Sequence, residues 1–213
     1  MKSLNQYIQE KLIINKDYRD TKIVVKSFKE LRKIIIDRYD KLGPGTEQDP
    51  IDFNDIDVSN LDSFYNKNTG IFEDTNFKYI DISDWNVSNV KSMYNMFAYC
   101  EELRSVGDIS NWDVSSVKVM WFMFYGCKYF NQDISSWDVS NVTSMSFMFE
   151  NCKSFNQDIS DWDVSNVTNM SFMFCWCKSF NQDISKWNVS NVRNNYCMFD
   201  NCPIKEEYKP KFK

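Results

Sequence analysis

Few residues of this chain have the type and spacing that catalysis or metal binding requires. Cys175 and Cys177 are the closest pair of cysteines, but one intervening residue does not match the C-x-x-C spacing of redox and zinc sites. The chain contains no His, which excludes Ser-His-Asp and Cys-His nucleophilic arrangements. We therefore expect that the protein is not an enzyme, and we expect no catalytic residue, no cofactor and no metal ligand.

Carboxylates recur beside the tryptophans, as at Asp161 and Asp163 around Trp162. A column of such side chains could bind calcium. However, the pattern lacks the glycine turn and the dense carboxylates of known calcium loops. Turn capping is therefore the favoured interpretation, and repetition without a unique position also argues against paired carboxylates for acid-base catalysis.

These residues belong to a repeat that must position them. "FNQDISSWDVSNVTSMSFMFENCK" returns 25 residues later as "FNQDISDWDVSNVTNMSFMFCWCK". Five good copies follow one degenerate copy at residues 52–64, and the first spacing between good copies is 27 residues rather than 25. We expect two structural ladders, formed by Trp85, Trp112, Trp137, Trp162 and Trp187 and by Cys100, Cys127, Cys152, Cys177 and Cys202. A period of 20–50 residues indicates an array of stacked units.

The spacing of apolar residues within one copy predicts the shape of the unit. Residues 155–159 predict a short strand. A later set recurs with helical spacing and predicts one short helix; it comprises Val167, Met170, Met173, Phe174 and Cys177. One strand and one helix per 25 residues is the plan of a leucine-rich repeat. We therefore expect an α/β fold, a right-handed leucine-rich-repeat solenoid with an N-terminal cap.

The combined Trp, Val-Ser-Asn-Val, Met-Phe and Cys spacing resembles the BspA-like leucine-rich-repeat family, whose unit is the bacterial surface protein 26-residue repeat. The resemblance covers about residues 52–202. It implies a right-handed solenoid and protein binding, often as a surface adhesin, and it implies no catalytic residues.

Three regions are expected along the chain. Residues 1–50 predict an N-terminal cap of helix, strand and helix with a linker. Its first helix is expected near residues 4–12, its strand at 22–27 and its second helix from a Ser27 cap to Gly43, with a buried stripe that includes Leu42. Residues 51–202 form the repeats, and residues 203–213 form a charged C-terminal tail.

Residues that stack should be alike in every copy, whereas residues that bind are free to differ. Large aromatic side chains occupy several variable positions, and the helical spacing predicts that they point outward. The candidate partner-binding residues are Tyr94, Tyr99, Trp121, Tyr125, Trp176 and Tyr196. Exposed Trp and Tyr are favoured interface anchors, although packing between neighbouring units would also explain them.

The formal charge of −5 argues against nucleic acid as a partner. Residues 43–204 carry 22 Asp and Glu against 10 Lys and Arg. No apolar run is long enough to span a membrane, and the first residues do not have the pattern of a signal peptide. We expect a cytoplasmic protein that binds a protein partner through aromatic and acidic surfaces. The alternative is a surface adhesin or a phage or virion-associated structural protein, which would be extracellular or virion-associated.

Overall fold

The computed structural model describes residues 22–67 and 69–212. Most regular elements lie at the N-terminal end of this range. They are β1 (Ile23–Val24), α1 (Phe28–Leu42), β2 (Ile51–Asp52), β3 (Ile56–Asp57), β4 (Tyr65–Asn66), β5 (Thr69–Gly70), β6 (Ile80–Asp81) and a 3-10 helix (Glu206–Tyr208). The expected first helix near residues 4–12 lies outside the described residues.

Helix α1 has well-defined ends. The Ser27 side chain accepts a hydrogen bond from the Glu30 N–H, and Gly43 ends the helix at φ 77° while donating its N–H to the Tyr39 carbonyl. This positive φ suits glycine because it has no Cβ. Leu31 and Ile35 are fully buried against the repeats. The expected stripe is wrong at Leu42, which is 63% exposed in the last turn.

The strands form three two-stranded sheets. Strand β1 pairs in parallel with β3, β2 pairs in parallel with β6, and β4 pairs antiparallel with β5. Outside these strands, single parallel bridges join equivalent residues of successive repeats: Ser63 to Ser92, Ser92 to Val119, Val119 to Ser144, Ser144 to Asn169, and Asn169 to Asn194. Neighbouring repeats therefore lie side by side and are joined through their backbones.

The predicted fold class is wrong. The described residues contain one α-helix, which lies outside the repeats, and a few two-residue strands in small sheets. They do not form the expected leucine-rich-repeat solenoid with a strand and a helix in each unit. The segments predicted to be helical are consecutive turns instead, as in residues 145–152.

The backbone hydrogen bonds explain why turns replace the helix. In residues 145–152, the N–H groups of Met148 and Cys152 bond three residues back, at 3.2 and 2.9 Å. The N–H groups of Phe147 and Phe149 donate instead to the next repeat, at 2.9 and 3.0 Å. An α-helix needs successive N–H groups to bond four residues back. Apolar residues spaced by three therefore face one core here without forming a helix.

The core consists of ladders of like side chains. The Trp ladder is 3–5% exposed, and most of its indole N–H groups donate to the carbonyl of a residue in the preceding repeat, as Trp162 does to Ile134 at 3.1 Å. Trp112, which follows the 27-residue spacing, has a buried indole N–H without an acceptor among the described residues.

The Cys ladder is also internal. Cys100, Cys127, Cys152 and Cys177 are buried free thiols, and Cys202 is a partly buried free thiol. The S–H groups of the four buried thiols donate to a phenylalanine carbonyl in the preceding repeat, as Cys152 does to Phe124 at 2.9 Å, whereas Cys202 donates to Phe180 of its own repeat at 3.5 Å. Burial raises the pKa of Cys100 to about 11 and raises the pKa of Cys152 further. These thiols therefore act as protonated hydrogen-bond donors in the core.

Polar side chains form the remaining rungs. Asp163 accepts the N–H of Ser165 at 3.0 Å, closing a turn within its own repeat. Asn141 and Asn166 donate to serine carbonyls in the preceding repeat at 2.9 and 2.7 Å. The motif residues Asp and Asn thus satisfy backbone groups at turns, which is where polar groups are otherwise left unpaired.

Candidate protein-binding surface

Nine partly exposed aromatic side chains form a continuous row along the turn segments of the repeats. The main line of ring contacts begins with Tyr65–Tyr94 (4.5 Å), Tyr94–Trp121 (5.5 Å) and Trp121–Phe122 (5.3 Å) and continues with Phe122–Phe147 (4.4 Å), Phe147–Phe172 (4.7 Å) and Phe172–Tyr196 (5.4 Å). A branch joins Phe122 to Tyr125 at 5.4 Å and Tyr125 to Tyr99 at 4.9 Å. We call these nine residues the aromatic row. Every ring in it is at least partly accessible to solvent.

Five of the six candidate residues lie in the aromatic row. Tyr196 is 67% exposed, Tyr99 50% and Trp121 39%, while Tyr94 and Tyr125 are half-buried. Trp176 is 46% exposed and has no ring contact with the row among the described residues. Its ring faces the Lys178 ammonium at 4.4 Å. The structure therefore brings most of the candidates together and leaves Trp176 apart.

Sequence reasoning missed four members of the row: Tyr65, Phe122, Phe147 and Phe172. The three phenylalanines occupy one position in three successive repeats, and Asn95 and Cys197 occupy it in the other two good copies. The phenylalanines stack on one another on the outside of the turns. Ser146 and Ser171 occupy the repeat position of Tyr94, Trp121 and Tyr196, which helical spacing predicts to point outward, but they are 0% and 5% exposed.

Several aromatic residues have a left-handed backbone. Phe122, Phe147, Phe172, Tyr99 and Trp176 have φ between 58° and 62°. This conformation is unfavourable for bulky residues. The equivalent positions of other repeats are Asn95 and Cys197 for the phenylalanines, and Gly126, Asn151 and Asn201 for Tyr99 and Trp176. Since smaller residues satisfy the same backbone, turn geometry does not account for the rings.

Acidic groups accompany the tyrosines of the row. Burial raises the pKa of Tyr94 and of Tyr125, and the nearby carboxylates of Glu73 and Glu150, respectively, raise it further. The Tyr196 pKa is raised first by a hydrogen bond with Cys197, and Asp200 also contributes. Burial raises the pKa of Glu150, whose Oε2 has no hydrogen-bond partner in the described part of the chain. The row is therefore an aromatic surface with neutral tyrosines and adjacent carboxylates.

A shallow depression lies elsewhere on the molecule, near Pro50, Tyr79, Asp81 and Tyr129. The Arg104 guanidinium lies 3.9 Å from the centre of the Tyr129 ring and covers its face. Within residues 22–67 and 69–212, no group of three or more Cys, Asp or Glu side chains is placed to hold a metal ion. In that same part of the chain, no helix is long and apolar enough to cross a bilayer.

The fold and surface define a protein built of stacked repeats that presents an extended aromatic face. Comparison with known families matches residues 46–139 and 104–209 to the family described as "Mycoplasma protein of unknown function, DUF285". Since the matched residues cover most of the sequence, the chain belongs to the DUF285 family. Comparison with curated proteins and with solved structures gave no match.

Proposed function

We propose that the protein is a non-catalytic protein–protein interaction module whose aromatic row binds a protein partner. The continuous row of nine accessible rings is the observation that supports this proposal. Tyr, Trp and Phe are enriched in protein interfaces, and large exposed apolar patches on soluble proteins mark sites of interaction.

The rings are held rigidly before binding. Each contacts at least one other ring, and the turns beneath them are bonded to neighbouring repeats. A preorganised surface loses less conformational entropy when it binds. The carboxylates of Glu73, Glu150 and Asp200 beside the tyrosines favour a partner with Lys or Arg at its contact surface, because opposite charges give specificity and faster association.

The test is a capture experiment with the tagged protein and a lysate of the source cells, read by mass spectrometry. The binding variant carries Tyr94→Ser and Trp121→Ser. The matched control carries Asn111→Ser and Asp161→Ser at exposed positions before Trp112 and Trp162. Circular dichroism and thermal unfolding should first show that both variants are folded. A direct binding assay with any captured partner then measures the change in affinity.

We expect one partner to be captured by wild type and control, and to bind the Tyr94/Trp121 variant at least about tenfold more weakly. A partner that binds that variant as well as wild type would contradict the proposal. Trp176→Asn separates the sixth candidate from the row. Asn is already accommodated at the equivalent Asn151 and Asn201, so stability should be unchanged and any loss of affinity would include Trp176 in the surface.

We also propose that the protein is located in the cytoplasm. The alternative is a surface adhesin or a virion-associated protein. The resemblance of the repeat motif to BspA-like repeats supports this alternative, although the chain does not have the leucine-rich-repeat fold. Fractionation of source cells with an antibody against the protein decides between them. Recovery of the protein in the cytoplasmic fraction supports an internal partner. Recovery at the cell surface, with loss of the protein when intact cells are treated with protease, supports the adhesin.

A further inference from the structure

The repeats bind one another through a regular set of backbone bonds with a fixed direction. In each well-formed repeat, alternate N–H groups of the turn segment donate to carbonyls of the following repeat. The fourth good copy donates from Met170, Phe172, Phe174 and Trp176 to Asn194, Tyr196, Met198 and Asp200, at 2.8–2.9 Å. Ring stacking accompanies these bonds, as between Phe174 and Phe199 at 5.9 Å. Each repeat is thus bound to the next through backbone hydrogen bonds and ring stacking.

The last repeat has the same alternate backbone N–H groups, but they have no acceptors in the described part of the chain. The equivalent N–H groups are those of Asn195, Cys197, Phe199 and Asn201, and none has an acceptor among residues 22–67 and 69–212. We call residues 194–201 the terminal edge. Its side chains are largely exposed, and Tyr196 is 67% exposed. An edge of unpaired backbone groups is a template for pairing with another chain.

The C-terminal tail pairs with a different part of the last repeat. The Lys205 N–H donates to the Asn181 Oδ1 at 3.0 Å, and the Ile184 N–H donates to the Tyr208 carbonyl at 3.0 Å. At the terminal edge itself, the tail places the Lys209 ammonium 5.7 Å from the Phe199 ring centre. The tail therefore covers the segment around 181–184 and supplies no acceptor to the four N–H groups.

The opposite end of the stack is closed by a side chain. The Ile71 and Glu73 carbonyls lie in the turn segment that follows the degenerate copy, which we call the first repeat. They are equivalent to the Met96 and Ala98 carbonyls and would accept hydrogen bonds from a preceding repeat. The Arg32 guanidinium of α1 donates to both instead, at 2.5 and 2.9 Å. A second copy of this chain thus has these acceptors occupied, so head-to-tail stacking of two copies is disfavoured.

We propose that the terminal edge binds a turn segment of another polypeptide that carries this same repeat motif and presents free carbonyls at alternate residues. Such a segment supplies the four acceptors and a phenylalanine that stacks on Phe199, as Phe199 stacks on Phe174. This is peptide recognition by backbone pairing at an open edge. Tyr196 belongs to both surfaces, but the proposed bonds are made by main-chain N–H groups and do not require the rings of the aromatic row.

The test is a titration of the full chain, ¹⁵N-labelled and reduced, with a capped synthetic peptide of the sequence of residues 142–153. Within the protein, this segment accepts four bonds from the preceding repeat, at its Ser144, Ser146, Met148 and Glu150 carbonyls. We expect saturable shifts and slower hydrogen exchange at the four terminal-edge amides, at roughly millimolar or lower peptide concentration. A scrambled peptide should produce neither effect.

A matched pair of variants tests the role of the backbone. Asn195→Pro removes one donor N–H, whereas Asn195→Ala removes only the side chain. We expect peptide binding at least about tenfold weaker with Pro than with Ala. Equal binding by both folded variants, equal binding of the scrambled peptide, or no slowing of exchange at the wild-type edge would overturn the proposal. The exchange measurement on wild type stands even if Asn195→Pro fails to fold.

Discussion

Trp112 and Trp162 occupy the same position in two repeats but differ in one hydrogen bond. Both are nearly buried, at 5% and 4% exposure. The Trp162 indole N–H donates to the Ile134 carbonyl, whereas the Trp112 N–H has no acceptor among the described residues. A buried donor without a partner carries a desolvation cost that a satisfied donor does not. The pair therefore isolates the hydrogen bond from the burial of the ring.

We predict that Trp162→Phe lowers the free energy of unfolding by about 1–3 kcal/mol more than Trp112→Phe does. Both substitutions remove similar apolar area, but only Trp162→Phe breaks a hydrogen bond. Urea denaturation followed by circular dichroism measures the two values. Equal losses in the two variants would show that the Trp162 bond contributes nothing net to stability.

The Asp residues that close the D-x-S turns predict a pH dependence. Hydrogen bonds from the following Ser hold the pKa of their carboxyls below the usual value; they are Asp57, Asp108, Asp113, Asp133, Asp158, Asp163 and Asp183. A carboxyl with a lowered folded-state pKa stabilises the fold above its unfolded-state pKa. That contribution is lost as the pH falls through the folded-state value.

We therefore predict a Tm that these groups leave unchanged from pH 7 to about 5 and that falls below about pH 4. The double variant Asp158→Asn and Asp163→Asn should keep nearly the wild-type Tm at pH 7 and lose less on acidification. Asn already serves in two such turns, where Asn86 and Asn188 accept the N–H of Ser88 and Ser190 at 3.2 Å. An unchanged acid slope in the variant would contradict this account.

At the scale of elements, α1 closes the first repeat by donating to its backbone. Arg32 supplies the bonds that a preceding repeat would make to Ile71 and Glu73, while Leu31 and Ile35 supply the apolar cover. Burial lowers the pKa of Arg32, and its guanidinium stays charged as arginine side chains do in proteins. The two guanidinium N–H groups thus take the place of the two backbone N–H groups that a preceding repeat would supply.

We predict that Arg32→Met lowers the free energy of unfolding by about 2 kcal/mol, because two carbonyls lose their donor while the aliphatic packing is kept. Arg32→Lys should fall between wild type and Met, since one ammonium cannot reproduce the fork geometry. Denaturant unfolding of the three proteins gives the order. A Met variant as stable as wild type would mean that water satisfies both carbonyls.

At the scale of the whole molecule, the stack has two unlike ends. The N-terminal end is covered by α1, whereas the terminal edge keeps four donors without acceptors in the described part of the chain. Each repeat contacts mainly its neighbours, so stability should vary along the stack as in other repeat proteins. The open end is expected to be the less protected one.

We predict that the N–H groups of Asn195, Cys197, Phe199 and Asn201 exchange with solvent more than about tenfold faster than their equivalents Met170, Phe172, Phe174 and Trp176. The two sets share sequence position within the repeat and differ in whether an acceptor is present. Hydrogen exchange followed by NMR measures both in one sample. Equal protection would show that the terminal edge is already covered in solution.

The amino-acid sequence alone predicts the repeat, its register and most of its interior. The 25-residue spacing placed Trp137, Trp162 and Cys152 in buried ladders, because identical side chains at a fixed period can bury apolar area only against one another. It also indicated that variable aromatic positions such as Trp121 and Tyr196 face solvent. The Ser27 and Gly43 signals correctly bounded α1.

The backbone of each repeat and the composition of the aromatic row depend on contacts between repeats. Residues spaced by three suit both a helix and consecutive turns, and the turns prevail because alternate N–H groups bond to the next repeat. That competition between local and neighbouring acceptors has no signature in one repeat alone. The left-handed turns in turn place Phe122, Phe147 and Phe172 outside, where helical spacing could not place them.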